Sequence, residues 1–176
     1  NLSSSNCMGT TNPCSAVLGG GPTLTVTFNG ATVNTTTTVA SANATYGDTS
    51  VTLNATVTQA SGPAVNNGSV TFTVKQGATT IGVATTDNTV VAGAASVTYA
   101  LPAGTAAGPY TIQAAYTPGT GFNASSGTGS LTINKAHLTV TADNKSKTYD
   151  GATFTAFTST ISGFVNSETE AGLRAS

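Results

Sequence analysis

Apolar and polar residues alternate with a period of two over most of this chain. Residues 108–118 (GPYTIQAAYTP) are the clearest case: Tyr110, Ile112, Ala114 and Tyr116 fall on one side, and Thr111, Gln113, Ala115 and Thr117 on the other. That is the pattern of a half-buried antiparallel strand with a turn at each end. Comparable runs at 35–42, 49–59, 68–76, 79–86, 90–101 and 128–134 are separated by short Gly, Asn, Asp or Pro punctuation, which brings the count to seven strands. Their inward positions supply a core: Val51, Leu53, Ala55 and Val57; Val70, Phe72 and Val74; Ile81 and Val83; Val97, Tyr99 and Leu101; Ile112; Leu131 and Ile133. Fully burying a Val, Leu, Ile or Phe contributes about 1.5–3 kcal/mol, so a core of this size supports one domain without a disulfide between sheets.

The fold class this predicts is all-β, with an immunoglobulin-like Greek-key β-sandwich over 34–135 and almost no helix, since no window carries an apolar stripe at helical spacing. The Gly-Pro-Tyr opening of the 108–118 strand allows two readings of Tyr110. Its hydroxyl ties back to upstream backbone, the tyrosine corner of Greek-key sandwiches, or its ring is a plain core residue. Neither supplies chemistry. The core Trp and bridging Cys pair of antibody domains are both missing.

The flanks read differently. Residues 1–22 are Ser-, Gly- and Asn-rich and are expected to be irregular, while 23–33 alternates like a strand whose partner the first residues do not provide. After Lys135 a new segment opens with HLTVTA, continues through NKSKTYDG and alternates again over 153–164, without enough strands to close a sandwich. Residues 168–174 suit a turn of helix, too short to be stable alone. Internal echoes link these parts. Ala44-Thr45-Tyr46-Gly47-Asp48 is echoed by Lys147-Thr148-Tyr149-Asp150-Gly151, and since 149 − 46 = 103 the two tyrosines are 103 residues apart. Leu24 and Leu131 stand in a second echo. The expected organisation is the last strand and cysteine loop of a preceding unit (1–33), a complete sandwich (34–135) and the opening of a following unit (136–176), a window on a tandem array.

Composition sharpens this picture. Only 6% of the 176 residues are charged, against about 25% in ordinary globular proteins. Thr, present 37 times, supplies the polarity instead and suits an exposed strand face. A net charge of −1 from scattered residues gives no electrostatic footprint for nucleic acid or an anionic membrane. No apolar run of about 18 residues occurs and the first residues lack a basic start, so neither a membrane span nor a signal peptide is expected, any export signal having been removed. Low charge also weakens repulsion between copies, so lateral association is plausible. Cys7 and Cys14, with Asn12-Pro13 between them and no His nearby, do not suit a closed zinc site and favour a local disulfide over two free thiols, hence an oxidising compartment.

Candidate chemistry is thin. The acids Asp48, Asp87, Asp143, Asp150, Glu168 and Glu170 are spread out and His137 stands alone in a linker, so an enzyme is not expected and no catalytic residue or cofactor is assigned. Calcium is the strongest ligand candidate, with Asp48, Asp143 and Asp150 near unit boundaries and echoed tyrosines. Each site musters one carboxylate, and the favoured alternative is a turn Asp bonding its own backbone. A Lys-to-Asn isopeptide crosslink would need an acid opposite Lys75, and none is evident. Seven N-x-S/T sequons, at Asn1, Asn34, Asn43, Asn54, Asn67, Asn123 and Asn144, arise readily in so Thr- and Asn-rich a chain.

The strings TVASANATYGDTSVTLNATV, GSVTFTVKQGATTIGVAT and GPYTIQAAYTPGTGFNASSGTGSLTINKA resemble the bacterial Ig-like repeat domains of very large exported surface proteins, and HLTVTADNKSKTYDGATF resembles the opening of a related bacterial Ig-like family. The resemblance covers most of 35–176. It implies a non-catalytic, extracellular module of an adhesin-like protein, acting as spacer and cell-adhesion element, with Tyr46, Tyr110 and Tyr149 in structural roles. Expected partners are neighbouring Ig-like units, copies of itself and host or cell-surface ligands, with no nucleic acid and no membrane insertion. The alternatives are a subunit of an extracellular filament held by strand exchange and, weighed down by the absence of Trp, a carbohydrate-binding sandwich.

Overall fold

In a computed structural model the protein is described over residues 14–17, 23–26 and 32–175, with side chains from 32 to 173. It is nearly all β. Two short strands come first, β1 (Cys14–Val17) and β2 (Thr23–Val26), paired antiparallel with Cys14 opposite Val26. This corrects two expectations: residues 14–17 are strand rather than irregular, and they supply the partner that β2 needs. Cys7 lies outside the described residues, as does the side chain of Cys14, and so does the disulfide expected between them.

The next eight strands form two facing sheets. β3 (Thr35–Val39), β5 (Ser50–Gln59) and β8 (Ala94–Ala100) make a three-stranded sheet in the order β3-β5-β8. The second sheet has the order β4-β10-β9-β6-β7, built from β4 (Ala42–Thr45), β6 (Ser69–Gln76), β7 (Thr79–Asp87), β9 (Gly108–Thr117) and β10 (Ser125–Asn134). The single strand expected at 35–42 is thus two. The chain breaks at Ala40-Ser41, leaves β5, which it meets antiparallel, and joins β10 in parallel, with Ala42 opposite Leu131 and Thr45 opposite Asn134. Two glycines in β10 make this crossing physically available. A methyl on Gly127 would overlap the Thr37 carbonyl oxygen, and one on Gly129 would sit 2.9 Å from Val39 Cγ1 and 3.0 Å from its oxygen. Hydroxyls then tie the strands: Ser125 Oγ lies 2.8 Å from Thr35 Oγ1 and 2.7 Å from Thr37 Oγ1.

Between the sheets lies one apolar core to which both contribute, including Leu53, Val57, Phe72, Val74, Tyr99, Ile112, Tyr116 and Leu131. The period-two reading of 108–118 holds at every position, with Tyr110, Ile112, Ala114 and Tyr116 buried. One core assignment fails. Val83 is 80% exposed, because two extra residues enter β7 there: Val74 faces Ile81 but Phe72 faces Thr85. The Tyr99 hydroxyl fills the gap, donating to Ile81 O at 2.6 Å and accepting from Val74 N–H at 3.4 Å. The strand expected to begin at Val90 begins at Ala94, yet Val90 is fully buried, as is Val65 in the loop after β5. These two loops close one end of the core together, through Gly93 N–H to Val65 O at 2.7 Å and Val90 N–H to Gly68 O at 3.2 Å.

Beyond the sandwich, β11 (Thr139–Ala142) pairs antiparallel with β12 (Ser159–Ser162), and α1 (Glu170–Ala175) follows. Of the alternation expected over 153–164, only β12 is strand. The pairing repeats that of β3 with β5: shifted by 103, Thr36 opposite Thr58 becomes 139 opposite 161, one residue from the observed Thr139 opposite Ser162. Among the described residues no second sheet faces this pair, and Val140 is 63% exposed.

Candidate functional site

The carboxylates of Asp48, Asp143 and Asp150, the calcium candidates, are each taken up by nearby protein donors. Asp48 accepts the Thr45 N–H at 2.7 Å and returns its own N–H to Thr45 O at 2.9 Å, closing the turn after β4. Asp150 accepts from Lys147 Nζ at 2.5 Å and from Ala152 N–H at 2.9 Å, and the Lys147 ammonium, followed by that amide, holds its carboxyl below the usual carboxylate range. Asp143 differs. It accepts the hydroxyls of Thr158 at 2.5 Å and Thr160 at 2.9 Å, on the chain opposite, and these two bonds lower its pKa, Thr158 foremost. Asp87, at the end of β7, accepts the N–H groups of Thr89 at 3.0 Å and Ser96 at 2.8 Å. The second bond satisfies a donor on the free edge of β8, a device that blunts pairing with another chain. Among the described residues no three His, Cys, Asp or Glu side chains converge as a metal site.

The tyrosines are placed by strand geometry. Tyr110 is buried and its hydroxyl donates to Ala106 O, four residues upstream, at 2.7 Å, so it is a core ring and a tie at once. Tyr116 closes the other end of β9 by donating to Asn67 O at 3.0 Å, and burial raises its pKa. The echoed pair part company. Tyr46 packs on the edge of the core, and Tyr149 is 94% exposed. Lys75 has Thr80 and Thr111 as cross-strand neighbours, so no acid opposes it for an isopeptide bond. His137 is exposed in the connection between β10 and β11.

Backbone and side-chain ties gather at the two poles of the sandwich. Where the chain enters, Val33 N–H donates to Gly121 O and Asn123 N–H to Val33 O, both at 2.9 Å, and Asn123 Nδ2 donates to Asn34 Oδ1 at 2.7 Å. Where it leaves, Tyr46 N–H donates to Asn134 O at 2.8 Å and the Tyr46 hydroxyl to Glu168 Oε1 at 2.9 Å. Beneath this second contact is a cleft of about 290 Å³ bounded by Tyr46, Ala106, Lys135, Leu138 and Glu168. The echo of Thr45-Tyr46 at Thr148-Tyr149 marked Tyr46. Nothing in the sequence marked Glu168 as its partner or Val165 as the neighbour of Gly47, because they lie about 120 residues away and the turn that carries them has no glycine signal.

Residues 138–176 match the sequence profile of the MBG domain (YGX type), a kind of domain that occurs in bacterial surface proteins. The matched stretch begins one residue before β11 and includes the exposed Tyr149-Asp150-Gly151 turn. No curated protein matches the chain.

Proposed function

We propose that this chain is a non-catalytic structural and adhesive part of an extracellular bacterial surface protein, in which the immunoglobulin-like Greek-key unit at 34–135 serves as a tension-resisting spacer followed by a second module at 136–176. The observation that carries it is the parallel pairing of β4 with β10. The first and last parts of the sandwich run side by side in the same direction, so the chain enters at one pole and leaves at the other. The ten-residue β10 sets that separation at about 33 Å, at 3.3 Å per residue. Such units joined end to end extend, and tension on them pulls β4 and β10 in opposite directions along their length, loading the ladder bonds together instead of one at a time. The surface-protein match at 138–176 and the near absence of charge support the same reading.

Force spectroscopy on a concatemer of residues 33–136 tests it. Wild type is expected to unfold in a single high-force event, and Ala44→Pro, which removes an N–H from the middle of β4, to unfold at clearly lower force. Equal forces for the two, or extension of wild type at no measurable force, would overturn the spacer reading.

A second reading, a filament held by strand exchange between chains, is favoured by the uncovered β11-β12 pair with Val140 63% exposed, and by Phe157, just before β12, 77% exposed. Electron microscopy of the purified chain separates the two: ordered polymers support the filament and isolated rods the spacer. For sugar binding, Tyr149 is the one tyrosine fully open to solvent among the described residues, which is too little for an aromatic platform.

A further inference from the structure

The turn at 165–168 has an unusual backbone. Asn166 and Ser167 have φ of 53° and 62°, and Glu168 N–H donates to Val165 O at 3.0 Å. Both central residues of this turn are therefore left-handed, the type I′ arrangement, and neither is glycine. Non-glycine residues persist in that region where surrounding structure over-determines them, and such positions cluster at clamps and switches.

What surrounds this turn is the exit pole of the sandwich. Val165 rests on Gly47: a methyl there would come within 2.8 Å of Val165 Cβ, and Gly47 itself has φ of 103°. Glu168, at the far end of the same turn, accepts the Tyr46 hydroxyl at 2.9 Å. Tyr46 is in turn fixed by its ring against the core and by its N–H on Asn134 O. One turn thus touches two adjacent residues of the sandwich, one through an apolar contact that only glycine admits and one through a hydrogen bond to a charged acceptor.

We propose that the 165–168 turn is a latch that docks on Tyr46-Gly47 and holds the 138–173 region at a fixed orientation to the sandwich, making this junction a stiff joint instead of a swivel. The inference rests on the spacer reading and adds what that reading leaves open, namely whether successive units form a rod or a flexible string. Two short contacts decide it, because the connection at 135–137 holds no strand or helix of its own. It also assigns Gly47 a role beyond its turn: it is the floor on which Val165 sits.

Residual dipolar couplings on the intact chain read this directly, since a stiff joint gives both regions a common alignment tensor. In wild type one tensor is expected to fit residues 35–134 and 138–173 together. Glu168→Ala and Gly47→Ala are each expected to abolish the common fit, whereas Asn166→Gly combined with Ser167→Gly, which suits the turn better, is expected to keep it. Unchanged amide shifts at Leu53, Phe72 and Ile112 certify that the sandwich is intact in each variant. Glu168→Ala lies outside the sandwich, so it remains informative if Gly47→Ala disturbs its own turn. Separate tensors in wild type, or a single tensor surviving both Glu168→Ala and Gly47→Ala, would overturn the latch. Failure of the latch leaves the unfolding force of 33–136 unchanged, so it is distinguishable from failure of the spacer reading.

Discussion

Thr37 and Val140 occupy corresponding places in two related strand pairs, and their burial is the reverse of their hydropathy. Shifted by 103 residues, Thr37 in β3 falls on Val140 in β11, yet Thr37 is 5% exposed and Val140 63%. The hydroxyl is buried because β10 lies over it and Ser125 Oγ meets it at 2.7 Å. The valine is exposed because, among the described residues, nothing covers the β11-β12 pair. A strand's pattern states which face is available for burial, and the opposing layer decides whether burial occurs. The sandwich and the 138–173 region are thus alike in local pairing and unlike in what stabilises them.

The comparison breaks hardest at a core aromatic. Phe72→Ala, in a fully buried position, is expected to destabilise the sandwich by about 3–5 kcal/mol, and Phe157→Ala, on an exposed ring, to change stability by less than about 0.5 kcal/mol. Urea unfolding followed by intrinsic tyrosine fluorescence checks both. A smaller effect comes from the crossing of β3 over β10. Gly127→Ala places a methyl against the Thr37 carbonyl and is expected to cost about 1–3 kcal/mol, while Gly172→Ala in α1, with only Thr169 Oγ1 at 3.7 Å, is expected to stabilise that helix by up to about 1 kcal/mol. Calorimetry of the first and circular dichroism of the second provide the readouts.

Smaller again is Tyr110→Phe, which keeps the ring and loses the bond to Ala106 O. A loss of about 0.5–1.5 kcal/mol is expected, against none for Tyr149→Phe, by the same urea titration. The smallest effect concerns acid. The Asp143 carboxyl is held below its ordinary value of 3.8 by the Thr158 and Thr160 hydroxyls, so what it adds to the β11-β12 pair is fully present above that value and is lost as pH falls through the lower folded one. Amide shifts of Thr158 and Thr160 are expected to move in that acid window and to stay flat between pH 5 and 8. Asp143→Asn removes the dependence.

Much of the sandwich was legible because its physics is local. Strict alternation placed Leu53, Phe72, Val74 and Ile112 inward, and all four are fully buried. Where the reading failed, a non-local term had intervened. Val83 obeys alternation on paper and leaves the core because β7 carries two extra residues, an irregularity that appears only against β6. Val65 and Val90 sit in loops with no periodicity, and they are buried because two distant loops meet. The break at Ala40-Ser41 carries no strong turn signal of its own. Its cause is in Gly127 and Gly129, almost ninety residues later. The contacts of Tyr46 divide the same way: the echoed motif exposed the tyrosine, and its acceptor Glu168 lies 122 residues off.

Native-state hydrogen exchange on the intact chain tests the unequal stability of the two regions most directly. Amides of Leu53, Phe72 and Ile112 are expected to open only with global unfolding of the sandwich, while those of Val140 and Ile161 exchange through local openings at far lower free energy. Equal protection of the two groups, or earlier opening of the sandwich, would contradict the account.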